Sequence, residues 1–259
     1  MAAMRLSPPE GDEAPRELVE EEPLSIIVQG KPYAVVMRTP GDERAHVAGF
    51  GLAEGLLDRP ADIHHISLCE REETSFVALT LTEERRAQVP ELLERKSFLS
   101  QTSCGLCGKQ VVEDLTQKVS PLGDGPTITA AGMAECVRAL CARQAMYSST
   151  RASHAACLFD AEYRLLALGE DVGRHNAVDK AVGQLFLRDE LARAQILLAS
   201  SRISYELVQK AARARVPIVI ALSHPTSLAV ELAGKLNMTV VTIRERTGTT
   251  VYCGGHRIR

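Results

Sequence analysis

The sequence has no tryptophan, and aromatic residues make up only 4% of its 259 residues. Proteins that bind single-stranded nucleic acid stack the bases on aromatic side chains, so this composition argues against such a platform. An excess of one charge is also lacking, because 30 basic and 33 acidic residues leave a net charge of −3. A weakly acidic chain does not coat nucleic acid as a whole, although a local basic pocket remains open. We therefore expect no nucleic-acid partner.

Long hydrophobic runs are missing as well. No segment approaches the roughly 18 apolar residues of a membrane-spanning helix, and residues 1–22 lack the apolar core of a signal peptide. This segment is rich in proline, glutamate and aspartate, which predicts a disordered tail. The hydrophobic content of 45% is that of an ordinary soluble globular protein. We expect a cytoplasmic protein with no membrane partner.

Cysteine is present, but mostly as isolated residues. The seven cysteines are an odd number, and five of them stand alone in the sequence. In a reducing compartment these should be free thiols that pack as small apolar residues, and helical spacing predicts this role for Cys136 and Cys141. The exception is TSCGLCG at 102–108, where Cys104 and Cys107 are separated by two residues and each is followed by glycine.

Two folded portions are predicted after the tail. Residues 23–120 form an N-terminal α+β portion, in which strand pairs at 24–37 and 63–81 flank a helix with Asp42 as its N-cap. A charged helical segment follows over 83–96. This portion ends in the cysteine segment, where glycines break helical continuity and so predict a mobile loop with exposed thiols.

Strands and helices alternate in the C-terminal portion, residues 121–259. The predicted order begins with a helix at 130–145, a hairpin at 153–169 and a helix at 174–187. Three strands at 195–200, 216–222 and 238–243 then alternate with helices at 204–215 and 225–237. A last strand is predicted at 249–253. Near-continuous apolar strands joined through helices indicate a parallel sheet covered by helices. We therefore predict an α/β fold for the C-terminal portion.

One candidate binding segment is LGEDVGRHNAVDKAVG at 168–183. Its glycines and polar side chains lie where a strand runs into a helix, and the free N–H groups and positive dipole end of a helix N-terminus favour an anion. Arg174 and Lys180 would add positive charge. The alternative is a simple N-cap, by Asp171 or Asn176, on a solvated helix.

A second candidate is ASSRISYE at 199–206, which also follows a buried strand and precedes a helix. In open α/β sheets ligands bind beyond the carboxyl ends of the strands, so the two segments support each other. A serine-rich capping turn is the alternative. The segment SHPTS at 223–227 is a third, weaker junction, and the arginine-rich C-terminal stretch either binds phosphate or is solvated.

Three roles are open for Cys104 and Cys107. A structural zinc site needs four ligands, and the sequence has no second C-x-x-C pair. A deaminase-type zinc site needs a glutamate two residues after its histidine, whereas His154 is followed by two alanines. A redox dithiol normally lies where a strand enters a helix, which the glycines disfavour. A mobile, exposed thiolate suits the transfer of sulfur between two protein surfaces.

At this point the sequence resembles the formate dehydrogenase accessory sulfurtransferase (FdhD) family. TSCGLCG at 102–108, GEDVGRHNAVDKAVG at 169–183 and SSRISYELVQKA at 200–211 are similar to the long motifs of that family, in the same order. AEGLL at 53–57 and TTVY at 249–252 agree with it too. The similarity extends from about residue 23 to the C-terminus.

The resemblance implies a sulfur carrier. Such proteins take sulfur from a cysteine desulfurase as a persulfide on the first motif cysteine, here Cys104, with Cys107 assisting. They pass it to the molybdenum or tungsten bis-pterin guanine dinucleotide cofactor of formate dehydrogenase, which is a bound substrate, with no permanently bound metal. A homodimer and a cytidine-deaminase-like three-layer α/β C-terminal domain without zinc chemistry are also implied.

With this substrate, the two strand–helix junctions are expected to hold phosphates and guanine, and the resemblance adds residues 243–248. The expected contacts are Asp171, Gly173, Arg174, His175, Asn176, Ser200, Ser201, Arg202, Ile243, Arg244, Glu245, Arg246, Thr247 and Gly248. The family often has a phenylalanine where this chain has Ile243, so the aromatic stack on guanine is missing. Arg244 or Arg246 would replace it through cation–π or phosphate contacts.

Overall fold

The computed structural model describes residues 17–71, 74–94, 98–99, 119–244 and 248–259. Three predictions lie wholly or mostly outside these ranges. They are the disordered tail, the mobile cysteine loop with Cys104 and Cys107, and the contacts of residues 245–247. No helix in the described ranges has the length and apolar character needed to cross a membrane.

The N-terminal portion is built on a five-stranded sheet with the order β3-β4-β1-β2-β5. Its strands are β1 (Glu22–Val28), β2 (Lys31–Arg38), β3 (Ile63–Arg71), β4 (Thr74–Leu81) and β5 (Phe98–Leu99). β1 and β2 form the predicted hairpin, and its turn residues Gln29 and Gly30 both have positive φ, 53° and 75°. This is the backbone that a two-residue hairpin turn requires. Both predicted strand pairs are confirmed.

Among its described residues this portion has three α-helices: α1 (Glu43–Ala53), α2 (Glu83–Gln88) and α3 (Pro90–Leu93). The predicted helix over 83–96 is divided at Val89, because Pro90 has no N–H to donate to the preceding turn. Asp42 does precede α1, but its φ is 58° and its side chain makes no capping bond. The carboxylate of Asp42 instead accepts from Gln184 Nε2 at 3.2 Å.

A six-stranded sheet forms the C-terminal portion, with the order β11-β10-β9-β8-β6-β7. Its strands are β6 (His154–Phe159), β7 (Leu165–Asp171), β8 (Ile196–Ala199), β9 (Ile218–Ala221), β10 (Thr239–Arg244) and β11 (Gly248–Cys253). β8, β9 and β10 are parallel, as predicted, whereas β6, β7 and β11 are antiparallel to their neighbours. The sheet is therefore mixed, because short turns connect β6 to β7 and β10 to β11.

Five helices cover this sheet: α4 (Ala130–Cys141), α5 (Ala145–Thr150), α6 (Arg174–Leu187), α7 (Tyr205–Arg213) and α8 (Ser227–Lys235). Alternate residues of the strands pack on opposite faces. Ala156 and Leu158 face the core shared with α6, whereas Cys157 and Phe159 face α4. Cys136 of α4 is buried as predicted, but Cys141 is exposed at the end of that helix, so its predicted core role is wrong. The α/β class is confirmed, and the cytidine-deaminase-like detail stays a prediction.

The two portions on either side of residue 120 share one apolar core. Helix α1 packs against α6, and the backbones meet at Gly49 and Gly183. A Cβ atom at Gly183 would lie 1.8 Å from the Ala45 carbonyl oxygen, and one at Gly49 would lie 2.0 Å from that of Asp179. Only glycine permits this approach at either position. The N-terminal portion is therefore held directly against the helix that follows β7.

The AEGLL segment has a structural explanation in the turn that follows α1. Arg85 Nη2 donates to the Gly55 carbonyl at 2.8 Å, and its Nε to the Leu56 carbonyl at 2.9 Å. Arg213 of α7 donates to the Leu52 and Leu57 carbonyls at 2.9 and 3.0 Å. Guanidinium groups thus bind the carbonyl groups that a helix leaves unpaired at its C-terminus. Through these hydrogen bonds the turn after α1 is attached to α2 of the N-terminal portion and to α7 of the C-terminal portion.

Candidate functional site

The polar segments identified in the sequence meet at one edge of the C-terminal sheet. The strand registers place the start of β6 at His154 beside the ends of β7 at Asp171 and β8 at Ala199. The ends of β9 and β10 follow along the same edge. Four strand spacings of about 4.8 Å make this edge roughly 19 Å long from β7 to β10. We call it the strand-end edge.

Asp171 is fully buried beneath this edge and accepts four hydrogen bonds. Its Oδ1 accepts from the Gly173 N–H at 2.8 Å and from Asn176 Nδ2 at 2.9 Å. Its Oδ2 accepts from the Thr39 N–H at 3.1 Å and lies 2.8 Å from Lys180 Nζ. All these donors come from the protein itself, so this carboxylate is balanced in charge and in hydrogen bonding.

The same cluster fastens the end of β2 to the first turn of α6. Lys180 Nζ also donates to the Thr39 carbonyl at 2.8 Å, and Asn176 Nδ2 to the Met37 carbonyl at 2.8 Å. The Val172 N–H donates to Thr39 Oγ1 at 3.1 Å. We call Thr39, Asp171, Asn176 and Lys180 the buried lock. The suggestion that Lys180 adds charge to a ligand site is wrong, because its side chain is only 3% exposed and is paired with Asp171.

The buried lock changes the role of three predicted ligand contacts. Asp171 and Asn176 are enclosed, and their polar atoms face other protein groups. A Cβ atom at Gly173 would lie 2.7 Å from Asn176 Nδ2, so this glycine lets the loop close over the lock. In this structure these residues fix the shape of the loop, and a direct contact with a ligand stays a prediction for each of them.

Arg174 and His175 face the other way, towards the start of α7. His175 Nε2 lies 2.9 Å from Glu206 Oε2 and 3.3 Å from Ser204 Oγ. Arg174 Nε is buried and has no hydrogen-bond partner. Burial lowers the pKa of the Arg174 guanidinium, and the neighbouring charge of Arg202 lowers that pKa further. The guanidinium of Arg174, in the first turn of α6, and that of Arg202, in the turn after β8, are thus close enough for their charges to interact, which favours an anion between them.

The turn after β8 supplies Arg202 and uses its serines locally. Ser200 Oγ accepts from the Ala155 N–H at 2.9 Å, which joins this turn to the start of β6. Ser201 is buried, and its hydroxyl donates to the Arg202 carbonyl at 3.0 Å. Arg202 itself is exposed. The two serines thus shape the turn, while the guanidinium of Arg202 remains available to solvent.

The far end of the strand-end edge brings the third junction to the C-terminal stretch. Arg244 is exposed at the end of β10, and its Nη1 contacts His224 Nε2. His224 Nδ1 lies 3.1 Å from the Tyr252 hydroxyl. Ile243 is half-buried beside the core on the α4 face, and Gly248 has a φ of 75°. The structure thus places Arg244 on the same edge as Arg202, three strand positions from β6.

Two residues of this edge were missed as site residues in the sequence. Glu206 lies within a segment that was singled out, but only its contact with His175 reveals its role. His154 was considered only as a possible zinc ligand. Burial lowers the pKa of the His154 ring, and the charges of Arg174 and His175 lower it further, which keeps the ring neutral near pH 7.

Three of the described cysteines, Cys136, Cys157 and Cys253, do not have the properties of a sulfur nucleophile. Burial raises the pKa of the Cys136 and Cys157 thiols to about 12, so both stay protonated at neutral pH. Burial also raises the pKa of Cys253. In the described ranges, no group of three or more His, Cys, Asp or Glu residues is arranged to hold a metal ion. These three thiols are therefore poor candidates for the chemistry expected of a thiolate.

Comparison with known proteins gives a consistent result. Residues 19–259 match the model of the FdhD/NarQ family. The sulfur carrier protein FdhD of Mycolicibacterium paratuberculosis is 39% identical over 251 residues, which cover 94% of this chain and 92% of that protein. The protein of the same name from Streptomyces coelicolor is 37% identical over 252 residues, which cover 94% of this chain and 89% of that one.

A solved structure shares the fold. It is a protein of Desulfotalea psychrophila, provisionally named a formate dehydrogenase accessory protein, and it superposes with a TM-score of 0.75. The alignment covers 100% of this chain and 97% of that one at 22% identity. The arrangement of both sheets and their helices therefore recurs in a protein of distant sequence.

Proposed function

Because this chain belongs to the FdhD/NarQ family, we propose that it is a sulfur carrier that serves formate dehydrogenase. In this proposal Cys104 accepts a sulfur atom from a cysteine desulfurase and delivers it to the bis-pterin guanine dinucleotide cofactor of molybdenum or tungsten. That cofactor is the bound substrate, and the strand-end edge is its binding site. The relatives that are named sulfur carrier protein support the sulfur-carrier role.

The proposed binding of the cofactor at the strand-end edge rests on the pair of guanidinium groups at Arg174 and Arg202. Their charges lie close enough to perturb each other, and Arg174 Nε has no protein partner. A phosphate accepts hydrogen bonds from guanidinium groups and cancels their repulsion. The dinucleotide cofactor is a polyanion of this kind. Arg244 lies at the other end of the strand-end edge, which is roughly 19 Å long. It would bind a different part of the dinucleotide cofactor from the part held by Arg174 and Arg202.

The length of chain between Leu99 and Cys104 is compatible with delivery to this edge. Leu99 pairs with Val35 in the sheet, and β2 continues from there to Thr39, which is bound to Asp171. Four residues of strand span about 13 Å, whereas the five residues from Leu99 to Cys104 extend over at most about 18 Å. The covalent connection thus permits the Cys104 thiol to reach the loop at Asp171.

The first chemical step is an exchange between sulfur atoms. The Cys104 thiolate attacks the outer sulfur of the persulfide on the desulfurase, and a new S–S bond forms as the S–S bond of the donor breaks. The desulfurase cysteine leaves as a thiolate, so no external oxidant or reductant is consumed. Cys107 assists, either by accepting the sulfur or by releasing it. The proposal includes a cytoplasmic location, because free thiols need a reducing compartment. It also includes a homodimer, which the resemblance to the family implies.

The test is to incubate the purified protein with a cysteine desulfurase, cysteine and pyridoxal phosphate, and to record intact and peptide masses. The proposal expects one additional sulfur atom on the peptide that contains residues 101–110, removable by reductant and absent in Cys104→Ala. Cys141→Ala is the matched control, because Cys141 is exposed but lies outside that peptide. An intramolecular disulfide or bound zinc in place of the sulfur adduct would contradict the carrier role.

A cofactor chaperone without sulfur transfer is the second candidate. The feature that favours it is that the phosphate contacts expected at the strand-end edge are arginines, Arg174, Arg202 and Arg244, which need no thiol to bind an anion. The two functions differ in one result, the restoration of formate dehydrogenase activity in cells that lack their own protein. A chaperone predicts full activity from Cys104→Ala, and a carrier predicts none.

A further inference from the structure

His154 lies on the strand-end edge, on β6 between the ends of β7 and β8. It begins β6, pairs with Asp171 of β7, and precedes Ala155, whose N–H is bound to Ser200 after β8. Alternation along β6 turns His154 to the same face as Ala156, which packs in the core beneath α6. The side chain of His154 is therefore directed towards the first turn of α6, where Arg174 and His175 lie.

The charged groups near His154 come from the two elements β7 and α6. Asp171 from β7 lies on the same face and opposes the other groups by raising the pKa of the ring, although its carboxylate is hydrogen-bonded within the buried lock. Glu170 lies on the opposite face and accepts from the Met146 and Tyr147 N–H groups. Arg174 and His175 of α6 face the ring. Within the described residues, neither nitrogen of the His154 ring has a hydrogen-bond partner.

We propose that His154 is a further ligand-binding residue of this edge, which takes up a proton when a phosphate-bearing ligand binds between Arg174 and Arg202. The inference rests on the proposed function and adds a residue to its binding site. In the free protein, burial and the charges of Arg174 and His175 lower the pKa of the His154 ring, so the imidazole is neutral. A bound diphosphate cancels their charge, so the ring gains a proton from solvent and donates it in a hydrogen bond to the ligand.

This proton uptake has a measurable consequence for binding. A ligand that binds together with a proton binds more tightly as the pH falls, by up to about tenfold per pH unit for one linked proton. His175 is the other imidazole at the edge, and its ion pair with Glu206 already gives its Nε2 a partner. The two histidines therefore differ in their expected response, which makes His175 the matched control.

The experiment is calorimetric titration with GDP-mannose, a diphosphate diester with no phosphate group that titrates near neutral pH. Titrations at about pH 7 in two buffers of different ionisation enthalpy give the number of protons taken up. The proposal expects uptake of up to about one proton, and an affinity that rises by about threefold to tenfold per pH unit as the pH falls. His154→Gln should abolish the uptake and the pH dependence, whereas His175→Gln should retain them.

Other outcomes would overturn the proposal in distinguishable ways. Binding without proton uptake, or uptake that survives His154→Gln and disappears in His175→Gln, would remove the role of His154 and leave the binding site intact. Absence of any binding by the native protein would remove the site itself. A second measurement avoids dependence on a variant, because ¹⁵N-histidine NMR of the native protein should show one ring become protonated when the ligand saturates it.

Discussion

Two regions of the molecule share one short segment of sequence, GEDVGRHN, and use it in opposite ways. In the buried lock, Asp171 and Asn176 are enclosed, and both carboxylate oxygens of Asp171 and the Nδ2 of Asn176 have protein partners. At the strand-end edge, Arg174 and His175 lie beside Arg202, His154 and Glu206, where positive groups outnumber their partners. The chain passes from one region to the other between consecutive residues.

The difference shows what each region contributes. The lock fastens the end of β2 to the start of α6, so the N-terminal portion determines the position of the loop that carries Arg174. The edge leaves the buried Nε of the Arg174 guanidinium without a hydrogen-bond partner, which has a free-energy cost unless a ligand supplies one. One region therefore governs stability and the other binding, and substitutions in the two should give separate effects.

Removing the lock carboxylate should have the largest effect on stability. Asp171→Ala leaves the Lys180 ammonium buried without its partner, which should lower the free energy of unfolding by about 3–5 kcal/mol. Urea unfolding measures the change. Glu190→Ala is the control, since its ion pairs with Arg188 and Arg193 are at the surface and should alter stability little. An Asp171→Ala protein as stable as the native one would mean that the lock does not hold the two portions together.

The contact between α1 and α6 should be the next most sensitive place. Gly183→Ala would place a methyl group against the Ala45 backbone, and forcing the helices apart should lower stability by about 1–3 kcal/mol or more. Gly234→Ala in α8 is the matched control, because it meets no atom within 4 Å and should stabilise the helix slightly. Equal thermal unfolding temperatures for the two variants would argue against the close contact.

Acid should weaken the lock region through His46. This residue of α1 is fully buried, and burial together with the charges of Lys180, Lys210 and Arg38 lowers the pKa of its ring to about 3. The unfolded chain binds the proton below about pH 6.5 while the folded protein does not, so stability is complete above that pH and falls as the pH drops towards 3.

The loss through His46 should amount to about 2 kcal/mol at about pH 5, because each pH unit below 6.5 contributes roughly 1.4 kcal/mol. His46→Leu should remove this part of the pH dependence, as measured by urea unfolding at several pH values. The same slope in the native protein and in His46→Leu would show that the ring gains its proton inside the fold.

Much of the fold could be predicted from sequence, for local reasons. The hairpin at Gln29 and Gly30 and the strands β8, β9 and β10 follow from turn chemistry and short apolar runs. The helix break at Pro90 and the antiparallel pairing of β6 with β8 and of β11 with β10 were not predicted. The last of these depends on which strands become neighbours, and a single apolar pattern does not specify strand direction.

The candidate site was only partly predictable for the same reason. Sequence placed Arg174, His175 and Arg202 at strand ends, and the structure brings them to one edge. The sequence could not distinguish these residues from Asp171, Asn176 and Lys180, which belong to the buried lock. Asp171 is bound to Thr39, which lies 132 positions earlier in the chain. Contacts over such distances in sequence are formed by the tertiary structure alone, and no periodicity reveals them.

The most direct test is a calorimetric titration with GDP of the native protein and of Arg174→Gln, together with their thermal unfolding temperatures. We expect the substitution to weaken binding by about tenfold or more, which corresponds to roughly 1.4 kcal/mol or more, while the unfolding temperature stays the same because Arg174 is outside the lock. If Arg174→Gln bound GDP as tightly as the native protein, or lost its binding only by unfolding, the division between a lock and a binding edge would be wrong.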